Sequence, residues 1–172
     1  MYRPLILMLF IVLVFGVSLQ AQTVSAGLSG GWTSLGGVGL ALGLDALSAL
    51  SGGLFLDFEV GPTSTARLAA QFAIAGGVTF SSFETDLVWR FPLGRLVGFA
   101  GGGIGLFGIP VDLSPAIHLS LQGTAGLEHN LFRSIVIKAT IQAVQVLRLN
   151  QGVFPGQPML RIEVGVGLPF QA

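Results

Sequence analysis

Three pairs of charged residues stand two positions apart: Asp57/Glu59, Glu84/Asp86 and Arg161/Glu163. With Arg67, Arg90, His118, Glu128 and Lys138 they include most of the ionisable side chains of the chain. Charges of both signs brought together in a dry interior must pair, because each unpaired one costs several kcal/mol. The same set, left wetter, would line a path or pocket for a small polar solute. Nucleophilic chemistry has two local candidates, Glu128-His129 with Ser134, and His118 with Ser120. A Ser–His–acid set needs convergence in space, and i,i+2 neighbours on an extended chain run parallel. Two histidines and no cysteine give no metal signature. Residues 101–105 (GGGIG) lack the rest of a dinucleotide or phosphate-loop pattern. The expectation is therefore no catalytic residue, no metal and no cofactor.

The spacing also selects the element that carries these residues. On a helix, positions two apart differ by about 200°, so one member of each pair would face the wrong way. In a membrane helix that would cost roughly 2.5–3.5 kcal/mol per charge. On a strand both members point to one face. Residues 131–150 show the pattern most plainly: Ile135, Ile137, Ala139, Ile141 and Ala143 alternate with Lys138, Thr140 and Gln142. The period is two, with one greasy face and one polar face.

Composition says where such strands belong. The chain is 52% hydrophobic and 9% charged, with a mean hydropathy of +0.81, whereas soluble domains carry about 25% charged residues. Eight basic and eight acidic residues balance, which removes the electrostatic case for nucleic acid. With no cysteine there is no disulfide and no lipid anchor on a thiol. Residues 1–21 read as a signal peptide: Arg3, an apolar run over residues 5–17, and a cleavage point at Ala21. The remainder, residues 22–172, is expected to be one domain.

Alternation predicts eight strands near residues 35–45, 54–60, 66–76, 83–91, 96–108, 116–128, 131–150 and 160–168. Residues 22–34 read as a lead-in or an extension of the first strand. Residues 46–53, 77–82, 109–115 and 150–158 read as longer loops, and 61–64, 92–94 and 129–130 as short turns. Long and short connections thus alternate, as they do in outer-membrane barrels, which have an even number of antiparallel strands. The polar face, carrying Asp57, Glu59, Arg67, Glu84, Asp86, Arg90, His118, Glu128, Lys138, Arg161 and Glu163, would turn into the lumen. Trp32, Trp89, Phe91, Phe132 and Phe170 would form an interfacial aromatic girdle at the periplasmic strand ends. The small residues Gly37, Gly39, Gly101, Gly103, Gly165 and Gly167 would leave room for water or let the wall curve tightly.

In signal peptide, dyad repeat, loop order and aromatic last strand, the chain resembles the small eight-stranded outer-membrane barrels of the OmpA/OmpX type. The resemblance implies an all-β, single antiparallel transmembrane β-barrel in the cell outer membrane. It also implies outer-membrane lipid as surroundings and the barrel-assembly machinery as a partner, reading an aromatic near the C-terminus. Here Phe170 is followed by Gln171 and Ala172. Some such barrels are lipid A deacylases or palmitoyltransferases, but the expectation here is a structural, envelope-maintaining role with a side-chain-plugged polar lumen. The alternatives are a narrow pore for small solutes, a periplasmic lipid carrier with its apolar face inward, and a polytopic helical membrane protein. The last draws on residues 35–56, which carry only Asp45, and on uncharged residues 96–111.

Overall fold

The computed structural model describes residues 23–41, 48–111, 114–131, 134–148, 152–153 and 158–171. They fold as a closed antiparallel barrel. Its wall strands are β1 (Thr23–Ser34), β2 (Ser48–Gly61), β3 (Ser64–Ala75), β4 (Val78–Leu93), β5 (Leu96–Val111), β6 (Ser114–Leu131), β7 (Ile135–Arg148) and β9 (Met159–Gln171). Each pairs with the next, and β9 lies between β7 and β1 to close the ring. A two-residue strand, β8 (Gly152–Val153), pairs with the end of β7. Closure leaves no unpaired edge. No helix among the described residues is long and apolar enough to cross a membrane; of the two segments that favoured the helical alternative, 96–111 is strand β5, and the described part of 35–56 holds only the six-residue helix Gly36–Ala41 and, from Ser48, the start of strand β2.

The alternation resolves into an inner and an outer face. Leu50 is 75% exposed and Leu54 59%, whereas Glu84 is 1% and Arg161 2% exposed. The grease is outside and the charges are inside, the reverse of a lipid carrier with an apolar interior.

Eight wall strands are present as expected, but the first is a different segment. Residues 23–34, read as a lead-in, form β1 and pair along their whole length with both β2 and β9. The segment expected to be the first strand instead begins with a short helix, α1 (Gly36–Ala41). Gly36 takes φ 50°, which breaks the extended chain. Leu35, just before the helix, accepts from Val38 N at 3.1 Å, and both side chains are buried. Residues 42–45 lie outside the described residues.

The expected loop at 77–82 is also a strand. Gly76 and Gly77, at φ 56° and 79°, make a two-residue hairpin turn of the kind that requires positive φ at both central positions. Strand β2 begins at Ser48, within the expected loop 46–53, and β5 and β6 extend through 111 and from 114. His129 and Asn130 lie within β6, and the chain turns just after it, where Ser134 N donates to Leu131 O.

Thr23, Gln171 and the turns after β2, β4 and β6 share one end of the barrel, here called the terminal end. The connections after β1, β3, β5 and β7 lie at the opposite, loop end.

Candidate functional site

The lumen is stratified. At the loop end α1 brings Leu35 and Val38 into the mouth, where they pack with Phe80, Phe107, Val144 and Met159. The Phe80 and Phe107 rings stack 6.1 Å apart. This apolar stopper was not foreseen. Its signal lies in Phe80 and Phe107, which fall on the inner parity; the expectation of a loop at 77–82 hides it.

Below the stopper lies a charged layer centred on Glu84. Its carboxylate accepts from Arg161 Nη1 at 2.9 and 3.0 Å, from Gln142 Nε2 at 3.1 Å and from Ser82 Oγ at 2.5 Å. Arg161 also donates to Gln142 Oε1 at 2.8 Å. Glu163 accepts from Gln71 Nε2 at 3.2 Å and stands 3.8 Å from Arg161 Nε. Asp86 accepts from Gln122 Nε2 at 2.7 Å, two strands away. That bond passes over β5 because residue 103 is glycine: a Cβ there would meet the Asp86 carboxylate and the Thr85 carbonyl oxygen.

A second charged layer sits toward the terminal end. Arg67 grips Asp57 with Nε at 2.8 Å and Nη2 at 3.3 Å. Lys138 bonds Asp57 from the other side and reaches Glu128 at 3.2 Å. Arg90 then bridges Glu128 at 2.6 Å and Glu59 at 2.5 Å. The result is one unbroken series, Glu59, Arg90, Glu128, Lys138, Asp57, Arg67, held by β2, β3, β4, β6 and β7. Within the series two pairs face each other in the register of adjacent strands, Asp57 with Arg67 and Glu128 with Lys138. The other links cross the lumen. Charge-assisted contacts of this kind are the stronger hydrogen bonds.

Aromatic rings frame this layer. The Arg67 guanidinium lies 5.6 Å from the centroid of Phe55 and 5.2 Å from that of Phe99, within cation–π range of both. Phe55 in turn lies over Gly27, Gly165 and Gly167, and Phe99 over Gly126. A beam of glycine, ring, guanidinium, ring and glycine thus spans the barrel. Gly165 and Gly167 give their space to Phe55, while Gly101 and Gly103 admit the backbone of β4.

Gly126→Ala tests this beam. The new methyl would meet the Phe99 ring and the Ala139 carbonyl oxygen, and overpacking of this kind costs about 1–3 kcal/mol. Gly123→Ala, where a Cβ meets nothing within 4 Å, is the neutral control. The check is the urea midpoint for loss of the heat-modifiable band on unboiled gels, lowered for the first variant and unchanged for the second.

Of the remaining expected residues, His118 is half-buried on the inner parity near the loop end, beside Phe107 in the register. Glu128 and His129, adjacent in β6, point to opposite faces. Glu128 enters the ion-pair series, while His129 Nδ1 meets the Arg95 carbonyl oxygen at 3.1 Å. They do not form a catalytic pair. Ser120 is wholly buried under the stopper.

Trp89, Phe91 and Phe170 project outward at the terminal end, each between 44% and 54% exposed. Trp32 also projects outward but sits at the loop end, opposite Leu50 and Ile162. It was expected among the terminal-end aromatics; with 23–34 as β1, it falls at the far end of that strand. Phe132, like the signal segment 1–21, lies outside the described residues.

Between the terminal-end ion pairs and the opening is a cavity of about 310 Å³, lined by Glu59, Arg90, Glu128, Asn130, Thr23 and Pro169 among others.

No family model matches the chain, and no curated protein matches it. Solved structures do. The N-terminal β-barrel domain of OprF from Pseudomonas aeruginosa superposes with a TM-score of 0.66 at 14% identity, over 87% of this chain and 98% of that one. Neisserial surface protein A superposes with a TM-score of 0.61 at 10% identity, over 86% and 96%. A de novo designed transmembrane β-barrel superposes with a TM-score of 0.58 at 8% identity, over 87% and 97%. The fold is that of the small eight-stranded outer-membrane barrels. Because a designed sequence also attains it, the fold by itself assigns no task.

Proposed function

We propose that this chain is an outer-membrane protein with a structural, envelope-maintaining role, and that its own side chains close its lumen. The observation that carries the reading is the ion-pair series from Glu59 to Arg67, which ties five strands together across the interior. The apolar stopper at the loop end supports it further. An eight-stranded barrel is just wide enough for side chains to fill. Its outer face, with Leu28, Leu50, Leu54, Ile117 and Val164 all more than half exposed, suits acyl chains, and Trp89, Phe91 and Phe170 suit an interface. Outer-membrane lipid and the assembly machinery that inserts such barrels are the partners in this reading, with export through residues 1–21.

The second reading is a narrow pore, favoured by the 310 Å³ cavity open to the terminal end. Conductance separates the two. Reconstituted in a planar bilayer, the closed barrel should show no steady current and at most rare, small openings. A stable open level in every insertion would overturn the closed reading.

A further inference from the structure

Among the described side chains, every charged one but Arg95 belongs to the two lumen layers. Arg95 lies in the turn from β4 to β5, at the terminal end, and is exposed. No described carboxylate pairs with it. Glu59 and Glu128, the acidic groups at that end, face the lumen and are held by Arg90. Gly94, at φ 68°, makes the turn. His129, outward on β6, donates from Nδ1 to the Arg95 carbonyl oxygen at 3.1 Å, since a carbonyl only accepts. The turn is thereby tied to the outer side of β6.

The surroundings of Arg95 define a depth. Strand β4 approaches the turn through Trp89, Phe91 and Leu93, outward on alternate positions and exposed, and β6 through exposed Leu127. Aromatic belts of this kind mark the headgroup level of a bilayer. Arg95 follows Leu93 by two residues, so its aliphatic stem meets apolar surface while its charge reaches the headgroups. The charge at this rim also has one sign. The terminal-end turns, residues 61–64, 92–95 and 131–134, contain Arg95 and Arg133 and no acidic residue. The two acidic residues outside the lumen set, Asp45 and Asp112, fall in loop-end connections.

We propose that the Arg95 turn, braced by His129, is a docking site for the phosphate of an anionic phospholipid in the leaflet at the terminal end. A guanidinium fork matches phosphate oxygens two at a time. A phosphatidylglycerol phosphate has no cation of its own, whereas a choline headgroup carries an internal counter-charge and gains less from Arg95. Basic side chains beside a bilayer are drawn to such anionic lipids. The site rests on the outer-membrane reading above and adds the lipid class and the leaflet.

The test uses the full chain refolded into phosphatidylcholine vesicles. Part of the lipid is replaced by phosphatidylcholine or phosphatidylglycerol brominated on the acyl chains, which quenches tryptophan on contact. The chain has two tryptophans. Trp32→Phe leaves Trp89 as the reporter on the strand that leads to the Arg95 turn, and Trp89→Phe leaves Trp32 at the loop end. At Trp89 phosphatidylglycerol should be favoured about fivefold, the effect of one basic residue at an anionic surface. Arg95→Gln should abolish that preference, Arg95→Lys should keep most of it, and quenching at Trp32 should be indifferent to both. Equal quenching of Trp89 by the two lipids would overturn the site, as would a preference that Arg95→Gln leaves unchanged. So would a preference that inorganic phosphate removes at constant ionic strength, which would mark a site for the free anion. Failure of both lipids to quench either tryptophan would instead sink the outer-membrane reading itself.

Discussion

Asp57→Ala is expected to cost about 3–5 kcal/mol of folding free energy, because removing one member of a buried ion pair strands its partners. Here two partners are stranded. Arg67 and Lys138 both bond Asp57, which is 3% exposed, and without it Lys138 keeps Glu128 as its one ion-pair partner, beside the Phe55 ring. Urea unfolding of the reconstituted barrel, followed by tryptophan fluorescence, measures the loss. The triple variant Asp57→Leu, Arg67→Met, Lys138→Met should recover most of it, since well-packed apolar groups often replace a buried charge set without penalty. That recovery distinguishes charge from packing. If Asp57→Ala costs less than about 1 kcal/mol, the usual worth of a solvated pair, the lumen is wet and the closed reading fails.

Leu54→Arg tests the outer face. Leu54 lies at the middle of β2, between Leu28 and Ala70 in the register, and is 59% exposed. In a bilayer, arginine at mid-depth of a barrel costs about 2–4 kcal/mol, falling to roughly 0–1 near the interfaces. Leu93, 50% exposed beside the β4–β5 turn, supplies the interfacial comparison as Leu93→Arg. Both are measured by folding equilibrium into phospholipid vesicles. The gradient between them is the informative quantity. A barrel facing water would give two small, equal effects, and that outcome would remove the membrane from the reading.

The inward charges were legible because a period of two needs no knowledge of partners. Asp57 and Glu59 share a face whatever strand lies beside them. Which residue each meets was not legible. Arg90 reaches Glu128 only because the sheet closes on itself, and no local pattern encodes a neighbour across a lumen. The segment 35–45 misled for a related reason: its alternating Val38, Leu40, Leu42 and Leu44 gave a stronger strand signal than the Gly- and Ser-rich β1. A glycine at positive φ and a mouth with room for Leu35 and Val38 decided in favour of α1. The Gly76-Gly77 turn was readable in principle, since paired glycines between alternating runs mark a two-residue hairpin. It was obscured by the expectation that this connection should be long.

Strand β5 places glycine at three successive inward positions, Gly101, Gly103 and Gly105. It therefore offers no side chain to hold its own alignment over that stretch, and glycine-rich strands specify alignment weakly. What anchors it is overhead: the Asp86–Gln122 bond clasps the strands on either side and traps the bare backbone beneath. The wall here is fastened like a belt through a loop, with its slackest member kept in place by a buckle belonging to its neighbours.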